Sequence, residues 1–430
     1  MTPENIQIVK ESAAVLGENA EALTRLFYQR LFEGDPQVKT YFNEANQHKG
    51  EQQQALAGAV VAYATNIEDP SVLGSAVELI AHKHVSLGIQ PDHYPIVGKH
   101  LLGAIKELLG DQATDDLINA WAEAYGQLAN IMIGRETDLY GQQKENHGWT
   151  GFRKFKVDRK ATESDEITSF YLTPVDGEPI SKHLPGQYLT VKLEQQADND
   201  HTTMRNYSIS SAPGEAWFRI SVKRERSTDN LPAGAISNRL HDSVEAGDVI
   251  DIAPPSGEFT LDATAETSRP LVLLSGGVGI TPMLSMLHAA VQNKTDRKIV
   301  FIHAARNRAV HAFADEVQQL ASGNPNVTVH FRLGEVDDRV PGLVSKGFID
   351  LSLIEQLVGT PDSDFYFCGP KPFMDSISKI LTGWNVPESQ IRFEDFGPSS
   401  TLTRIVTGCP FSSGAPSGCP ALPTKGLPGI

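Results

Sequence analysis

The chain has 430 residues, 40% of them hydrophobic and 21% charged, which suits two or three soluble domains, each with its own core. Its net charge of −16 disfavours nucleic acid, which needs a basic footprint, and anionic membrane surfaces. No apolar run approaches the ~20 residues that span a bilayer. The polar N-terminus lacks a signal or transit pattern, and three cysteines make no disulfide framework. A cytoplasmic monomer without stable membrane association is expected.

Residues 1–147 show helical spacing and almost no strand pattern. Leu23, Phe27 and Leu31 recur every four residues, as do Leu56, Val60 and Tyr63 at three to four; Leu73, Val77 and Ile80 follow, then Leu128 and Met132. Six or more helices with short connections predict an all-α, globin-like packing. The texture changes at Gly148-Trp149. Runs at 152–158, 167–175, 187–194, 203–210, 217–224 and 248–255 are short, β-rich and separated by turn residues, which predicts a small antiparallel β-barrel over 148–265. Over 266–397, apolar runs such as Leu271–Leu274 alternate with helical stretches, the pattern of a doubly wound α/β domain. Residues 398–430 hold 6 Pro, 5 Gly and 5 Ser and are expected to be a disordered tail.

Six histidines lie in the helical segment: His48, His82, His84, His93, His100 and His147. A haem needs a proximal imidazole on a rigid element and an apolar pocket. His84 extends an apolar face, 4, 7 and 11 residues after Ile80, Val77 and Leu73. His100, three after Val97, is the rival, and a lone histidine on such a face is more often a satisfied core residue. Glu136 lies four and eight residues beyond Met132 and Leu128, an inward register where a carboxylate needs a partner; its bland alternative is a last-turn surface acid beside Arg135.

In the barrel segment, Arg205-Asn206-Tyr207-Ser208 falls on a strand. Its spacing suits a flavin: Tyr207 stacked on the ring, Arg205 on the pyrophosphate, Ser208 near N5. Tyr188, in Pro-Gly-Gln-Tyr, sits on a neighbouring strand. Ser275-Gly276-Gly277-Val278-Gly279-Ile280-Thr281-Pro282 follows the strand Leu271–Leu274 and opens a helix. Its glycines let backbone approach a dinucleotide pyrophosphate, and the helix N-terminus favours that charge. Thr281 suits the N-cap and Pro282 the first helical position.

Taken in order, LFYQRLF, TYFNEANQ, ELIAHKHVSLGI, YPIVGKHLL and WAEAYGQLANIMIGRETDLY resemble the globin helices of flavohaemoglobins, and the later motifs resemble the ferredoxin–NADP⁺ reductase superfamily. The resemblance covers residues 1 to about 397. It implies three domains, a globin haem domain (1–147), an FAD-binding barrel (148–265) and an NAD(P)H-binding α/β domain (266–397), carrying haem b, FAD and NADPH or NADH. It implies His84 as iron ligand, Tyr28 as the distal hydroxyl, Phe42, Gln52 and Leu56 as distal lining, and Tyr94 with Glu136 behind His84. It adds Gly234 and Ser237 at a phosphate-binding helix start, Cys368-Gly369-Pro370 at the nicotinamide turn, and Glu394 and Phe396 at the flavin edge. Asp395 departs from the family's usual apolar residue or cysteine.

The activity so implied is a nitric oxide dioxygenase that turns NO and O₂ into nitrate, with a lipid as a further guest of the distal pocket. Three alternatives stay open at this point: a peroxide or lipid hydroperoxide reductase, a non-enzymatic O₂/NO sensor, and a haem-less flavoreductase. At the adenosine end, Arg306 and Arg308 follow the second strand with no acid nearby in sequence, which tilts the reading toward NADPH. The tail's Cys409-Pro410 and Cys419-Pro420 pairs depart from the family; a plain spacer and a haem-sensing role are both open.

Overall fold

The computed structural model describes residues 1–42, 51–193, 204–227, 232–335 and 343–396, with backbone alone at 51–55 and 57. The tail, including both Cys-Pro pairs, lies outside the described residues, as do His48 and the side chain of Gln52.

The first body is helical: α1 (Pro3–Glu18), α2 (Ala20–Gly34), α3 (Glu51–Thr65), α4 (Gly74–Leu87), α5 (His93–Leu109) and α6 (Asp115–His147). Local chemistry sets the ends. The Thr2 and Thr114 hydroxyls cap α1 and α6 by accepting from Asn5 and Leu117 N–H groups. Gly88, at φ +80°, stops α4 in the left-handed region that favours glycine. The predicted apolar stripes meet in one core through Leu23, Phe27, Leu31, Val60 and Tyr63. A smaller cluster of Ala81, Val85, Met132 and Leu139 joins α4 to α6.

The second body is a six-stranded antiparallel sheet built from β1 (Arg153–Thr162), β2 (Ile167–Pro174), β3 (Tyr188–Lys192), β4 (Met204–Ser208), β5 (Phe218–Lys223) and β6 (Val249–Ile252), with α7 (Ala235–Ser243) between the last two. The order is β4-β3-β6-β1-β2-β5. A bridge between Ile209 and Ile220 links the two outer strands, which closes the sheet toward a barrel and removes its free edge. Each of the six strands overlaps a predicted run, although β1 continues past 158 to Thr162.

The third body is a six-stranded parallel sheet, as predicted. Its elements are β7 (Leu271–Gly276), α8 (Ile280–Gln292), β8 (Ile299–Ala305), α9 (Ala314–Ser322), β9 (Val327–Leu333), β10 (Val344–Lys346), α10 (Leu351–Val358), β11 (Asp364–Cys368), α11 (Lys371–Gly383) and β12 (Ile391–Glu394). The order β10-β9-β8-β7-β11-β12 reverses direction at β7, so the crevice beyond the carboxyl ends of β7 and β11 is the expected ligand position. Buried clusters lie on both faces of the sheet, which explains why its strands read as unbroken apolar runs. No helix among the described residues is long and apolar enough to cross a membrane.

Candidate functional site

The histidines of the helical body sort themselves by their partners. His100 is buried, with Nε2 2.6 Å from Asp35 Oδ2, so the rival is the satisfied core residue. His93 Nδ1 accepts from Gln90 N–H, and His147 pairs with Ser181. His82 uses both nitrogens: Nε2 is 3.1 Å from Glu78 Oε1, and Nδ1 accepts from Gly257 N–H at 3.4 Å. Among the described histidines of this body, His84 is placed differently. Its Nδ1 lies 2.8 Å from Glu136 Oε1, and the Tyr94 hydroxyl donates to that same oxygen at 2.6 Å.

A carboxylate only accepts, so Nδ1 of His84 carries the proton and its Nε2 lone pair points away from Glu136. Glu136 is 2% exposed. Arg135, its sequence neighbour, turns instead to a two-pronged pair with Glu78. The bland reading of Glu136 as a surface acid beside Arg135 therefore does not describe this fold. Burial, and then the hydrogen bond to Glu136, push the Tyr94 hydroxyl far above the usual phenol range, so it stays protonated and donating. An imidazole oriented this way, its second nitrogen held by an anion, is the donor expected for haem iron.

A second cluster in the helical body is aromatic. Tyr28 on α2 packs edge-on to Phe27 and Phe42, at ring separations of 5.0 and 5.6 Å, and Phe32 packs edge-on to Phe42. Leu56 on α3 joins the same cluster. The structure thus brings Tyr28 and Phe42 together, with Leu56 in the same core cluster.

On the barrel, β3 and β4 run antiparallel with Tyr188 opposite Ser208, Leu189 opposite Tyr207 and Val191 opposite Arg205. Strand alternation puts Arg205 and Tyr207 on one face, and Asn206 and Ser208 on the other with Tyr188. The Thr190 hydroxyl bonds Asn206. Gly234 is the residue before α7, and the first N–H groups of that helix receive no side-chain cap. The Ser237 hydroxyl donates to Gly234 O and accepts from Glu225 N–H. A Cβ at Gly234 would stand 2.7 Å from Ser237 Oγ. This cradle fits a flavin phosphate.

In the third body, Ser275, Cys368 and Glu394 are register neighbours across β7, β11 and β12. The glycine-rich turn bends at Gly277, with φ +54°. A Cβ on Gly279 would fall 2.2 Å from Cys368 O, so only glycine lets the two turns meet. Two expectations change here. α8 begins at Ile280 with Gly279 before it, so Thr281 lies inside the helix and its hydroxyl donates to Val278 O; Pro282 is third, not first. A short 3-10 turn over Gly277–Gly279 feeds straight into the helix and removes the need for a side-chain cap. The Ser275 side chain is also spent: its hydroxyl is wholly buried, 2.8 Å from His303 Nδ1, which leaves backbone to face a ligand. Cys368 is wholly buried, and burial drives its thiol well above the ordinary range. Phe396 stands 51% exposed, open to cover a ring.

The three bodies converge where sequence reasoning had no signal. Tyr188 lies against Ser86 of α4, whose hydroxyl donates to Lys83 O. The Gln143 amide on α6 donates to Ser256, whose backbone pairs with Tyr188. Burial raises the Glu394 carboxyl to about 7, with Lys83 opposing and Glu258 and Asp395 adding to the shift. The helix carrying His84 therefore touches Tyr188 itself, and the helix carrying Glu136 touches its bridge partner Ser256. Farther out, Arg219 of β5 clamps Glu316 of α9 with two bonds of 2.9 and 2.8 Å, and His288 of α8 shares the same acid. Just beyond the end of β8, Glu166 of the barrel pairs with Arg306. The acid missing near Arg306 in sequence is supplied by a different body.

Three family models match the chain: Globin over residues 25–132, Oxidoreductase FAD-binding domain over 154–261 and Oxidoreductase NAD-binding domain over 273–379. The chain is 48% identical to a flavohemoprotein of Rhodopirellula baltica, over 94% of this chain and 100% of that one. It is 50% identical to a flavohemoprotein of Bordetella pertussis, over 92% and 98%. Among solved structures it resembles a flavohemoglobin from Malassezia yamatoensis with bound FAD and heme, at a TM-score of 0.79 and 26% identity, over 92% of this chain and 100% of that one. It also resembles the FAD/NAD binding domain of a nitric oxide dioxygenase from Vibrio cholerae, at a TM-score of 0.51 and 34% identity, over 57% of this chain and 99% of that one.

Proposed function

The chain belongs to the flavohemoprotein family, an oxidoreductase with globin, FAD-binding and NAD-binding domains, and from that premise we propose that it is a nitric oxide dioxygenase. Two molecules of nitric oxide and two of dioxygen become two nitrates, while one reduced nicotinamide nucleotide becomes its oxidised form and a proton. When bound, haem supplies the iron at which the two gases meet, FAD the change from a hydride to single electrons, and the nucleotide the hydride.

The residues divide the remaining work. His84 is the residue for the iron. Glu136 and Tyr94 fix its tautomer and ring plane and raise its basicity, which favours charge transfer toward dioxygen. This His84–Glu136–Tyr94 arrangement is the observation that carries the reading, because a passive oxygen store has no need for an anionic partner. Tyr28, packed on Phe42 in the cluster that also holds Leu56, is the hydroxyl that would donate a hydrogen bond to a bound diatomic gas. Gln52 is assigned there by family resemblance alone.

Arg205, Tyr207, Ser208, Tyr188 and the start of α7 would hold the flavin. The Gly276–Gly279 turn and Gly369-Pro370 would admit a nicotinamide nucleotide, with Phe396 over the ring. The contact of Ser86 on α4 with Tyr188 on β3 would set the flavin site beside the helix that carries His84. The same turns admit NADPH and NADH, and the choice between them falls to the charged groups beyond the end of β8.

The test exposes the anaerobically reduced holoprotein to O₂ and then nitric oxide, following haem spectra and nitrate together. Nitrate at a catalytic rate, with nucleotide consumed at half the nitrate yield, is the expected result. Absence of catalytic nitrate formation would sink the proposal.

A further inference from the structure

We propose that Glu166 is a specificity-determining residue for the nucleotide: it neutralises Arg306 at the adenosine end of the cleft and turns the site from NADPH toward NADH. This rests on the nicotinamide reading above. In a doubly wound sheet the dinucleotide lies across the carboxyl ends of the strands, with its adenosine ribose beyond the second of them. That strand is β8, which neighbours β7 and ends at Ala305. Arg306 is the next residue. Its loop is pinned by Gly334 N–H to Ala305 O and Glu335 N–H to Arg306 O, at 3.0 and 2.8 Å. The guanidinium is held at the rim with its side chain 71% exposed, within reach of an incoming anion.

In NAD sites of this type an acid after the second strand commonly bonds the ribose. Here the equivalent charge comes from the hairpin between β1 and β2. Three backbone bonds fix that hairpin: Glu163 N–H to Ile167 O, Arg224 N–H to Glu166 O, and Asp165 N–H to Ala309 O. The last one stitches the hairpin tip to the very loop that carries Arg306. Glu166 then closes an ion pair on Arg306, its side chain 26% exposed. Two independent contacts thus bring one barrel element to the nucleotide loop.

The electrostatic consequence is simple. A lone arginine at this rim would attract the 2′-phosphate of NADPH through charge-assisted hydrogen bonds. With Glu166 attached, the arginine's charge is cancelled. A 2′-phosphate must displace the carboxylate or sit beside a like charge. A 2′-hydroxyl meets neither obstacle. The pair is partly solvated and screened, so the discrimination is modest, on the order of tenfold, and weakens as salt rises.

The experiment uses the full-length holoprotein and the variants Glu166→Gln, Arg306→Ala and the double variant. Flavin reduction by NADH and NADPH is followed by stopped flow. Binding of adenosine 2′,5′-bisphosphate and of 5′-AMP is measured by calorimetry, which needs no turnover. Glu166→Gln should raise the NADPH/NADH ratio of kcat/KM about tenfold, through KM for NADPH, and tighten the 2′-phosphorylated ligand by a similar factor. Removing Arg306 in that background should cancel both gains. Unchanged ratios in Glu166→Gln overturn the inference, and so does a gain that survives loss of Arg306. A wild-type chain that binds both adenosine ligands but oxidises neither nucleotide would fail the enzymatic reading while the binding arm still decides the role of Glu166.

Discussion

His84 and Glu136 stand on different helices, 52 residues apart in sequence, with Nδ1 and Oε1 only 2.8 Å apart. The contact joins α4 to α6, and both helices go on to touch the barrel. The charge behind His84 and the docking of the flavin-side body are therefore set by the same pair of elements.

Replacing Glu136 with Gln keeps the shape and removes the anion. Nitric oxide consumption should fall about tenfold to a hundredfold, the usual cost of losing an outer-sphere partner. The iron–histidine stretch of the reduced haem, read by resonance Raman, should drop with it. An unshifted stretch would mean that the carboxylate does not tune His84.

The two candidate histidines separate in one spectrum. His84→Ala should lose the Soret band of a five-coordinate histidine-ligated haem, and added imidazole should restore it. His100→Gln should keep that band and lower the melting temperature, because the His100–Asp35 bond ties α5 to the end of α2. Loss of the band in His100→Gln alone would overturn the assignment of His84.

Gly279→Ala would drive a methyl into Cys368 O. The turns after β7 and β11 must then part, at a cost of about 1–3 kcal/mol. Flavin reduction by NADH or NADPH should slow sharply, while the haem spectrum stays as in the wild type. A normal rate of flavin reduction would show that the two turns need not meet.

The clamp between Arg219 and Glu316 predicts a pH dependence. Burial opposes ionisation of Glu316, yet hydrogen bonds from His288 and Arg219 hold its carboxyl down at about 2, below the ordinary 4.5. A depressed carboxylate pKa stabilises the fold above the unfolded value and loses that contribution as pH falls through the folded one. Glu316→Gln should destabilise the chain by about 2–3 kcal/mol at neutral pH. The gap between wild type and variant should narrow between about pH 5 and pH 2. Denaturant midpoints taken across that range check the sign; a constant gap would mean that ionisation of Glu316 contributes nothing.

Much of this was legible in the chain. The apolar stripes of the helical segment, the six β-rich runs and the unbroken parallel strands are periodic signals, and the structure has each in place. Glu136 could be read as inward because its spacing from Leu128 and Met132 is a property of one helix. Thr281 was misread because a glycine turn of 3-10 form leads into α8 without a cap, a choice that local propensity does not reveal. The absence of an acid after β8 was also read too locally. The acid comes from another body.

What the sequence determined by itself was therefore most of what neighbours within a turn or a strand carry: element types, their order and the glycine turns; the residues for haem, flavin and nucleotide rest largely on family resemblance. Tertiary structure alone decided the pairings, namely Glu136 on His84, Glu316 on Arg219 across 97 positions, and Glu166 on Arg306 across 140. Helical and strand periods repeat every few residues and leave a mark on the chain. An ion pair between bodies depends on how whole surfaces dock, and that geometry leaves no periodic trace in either partner.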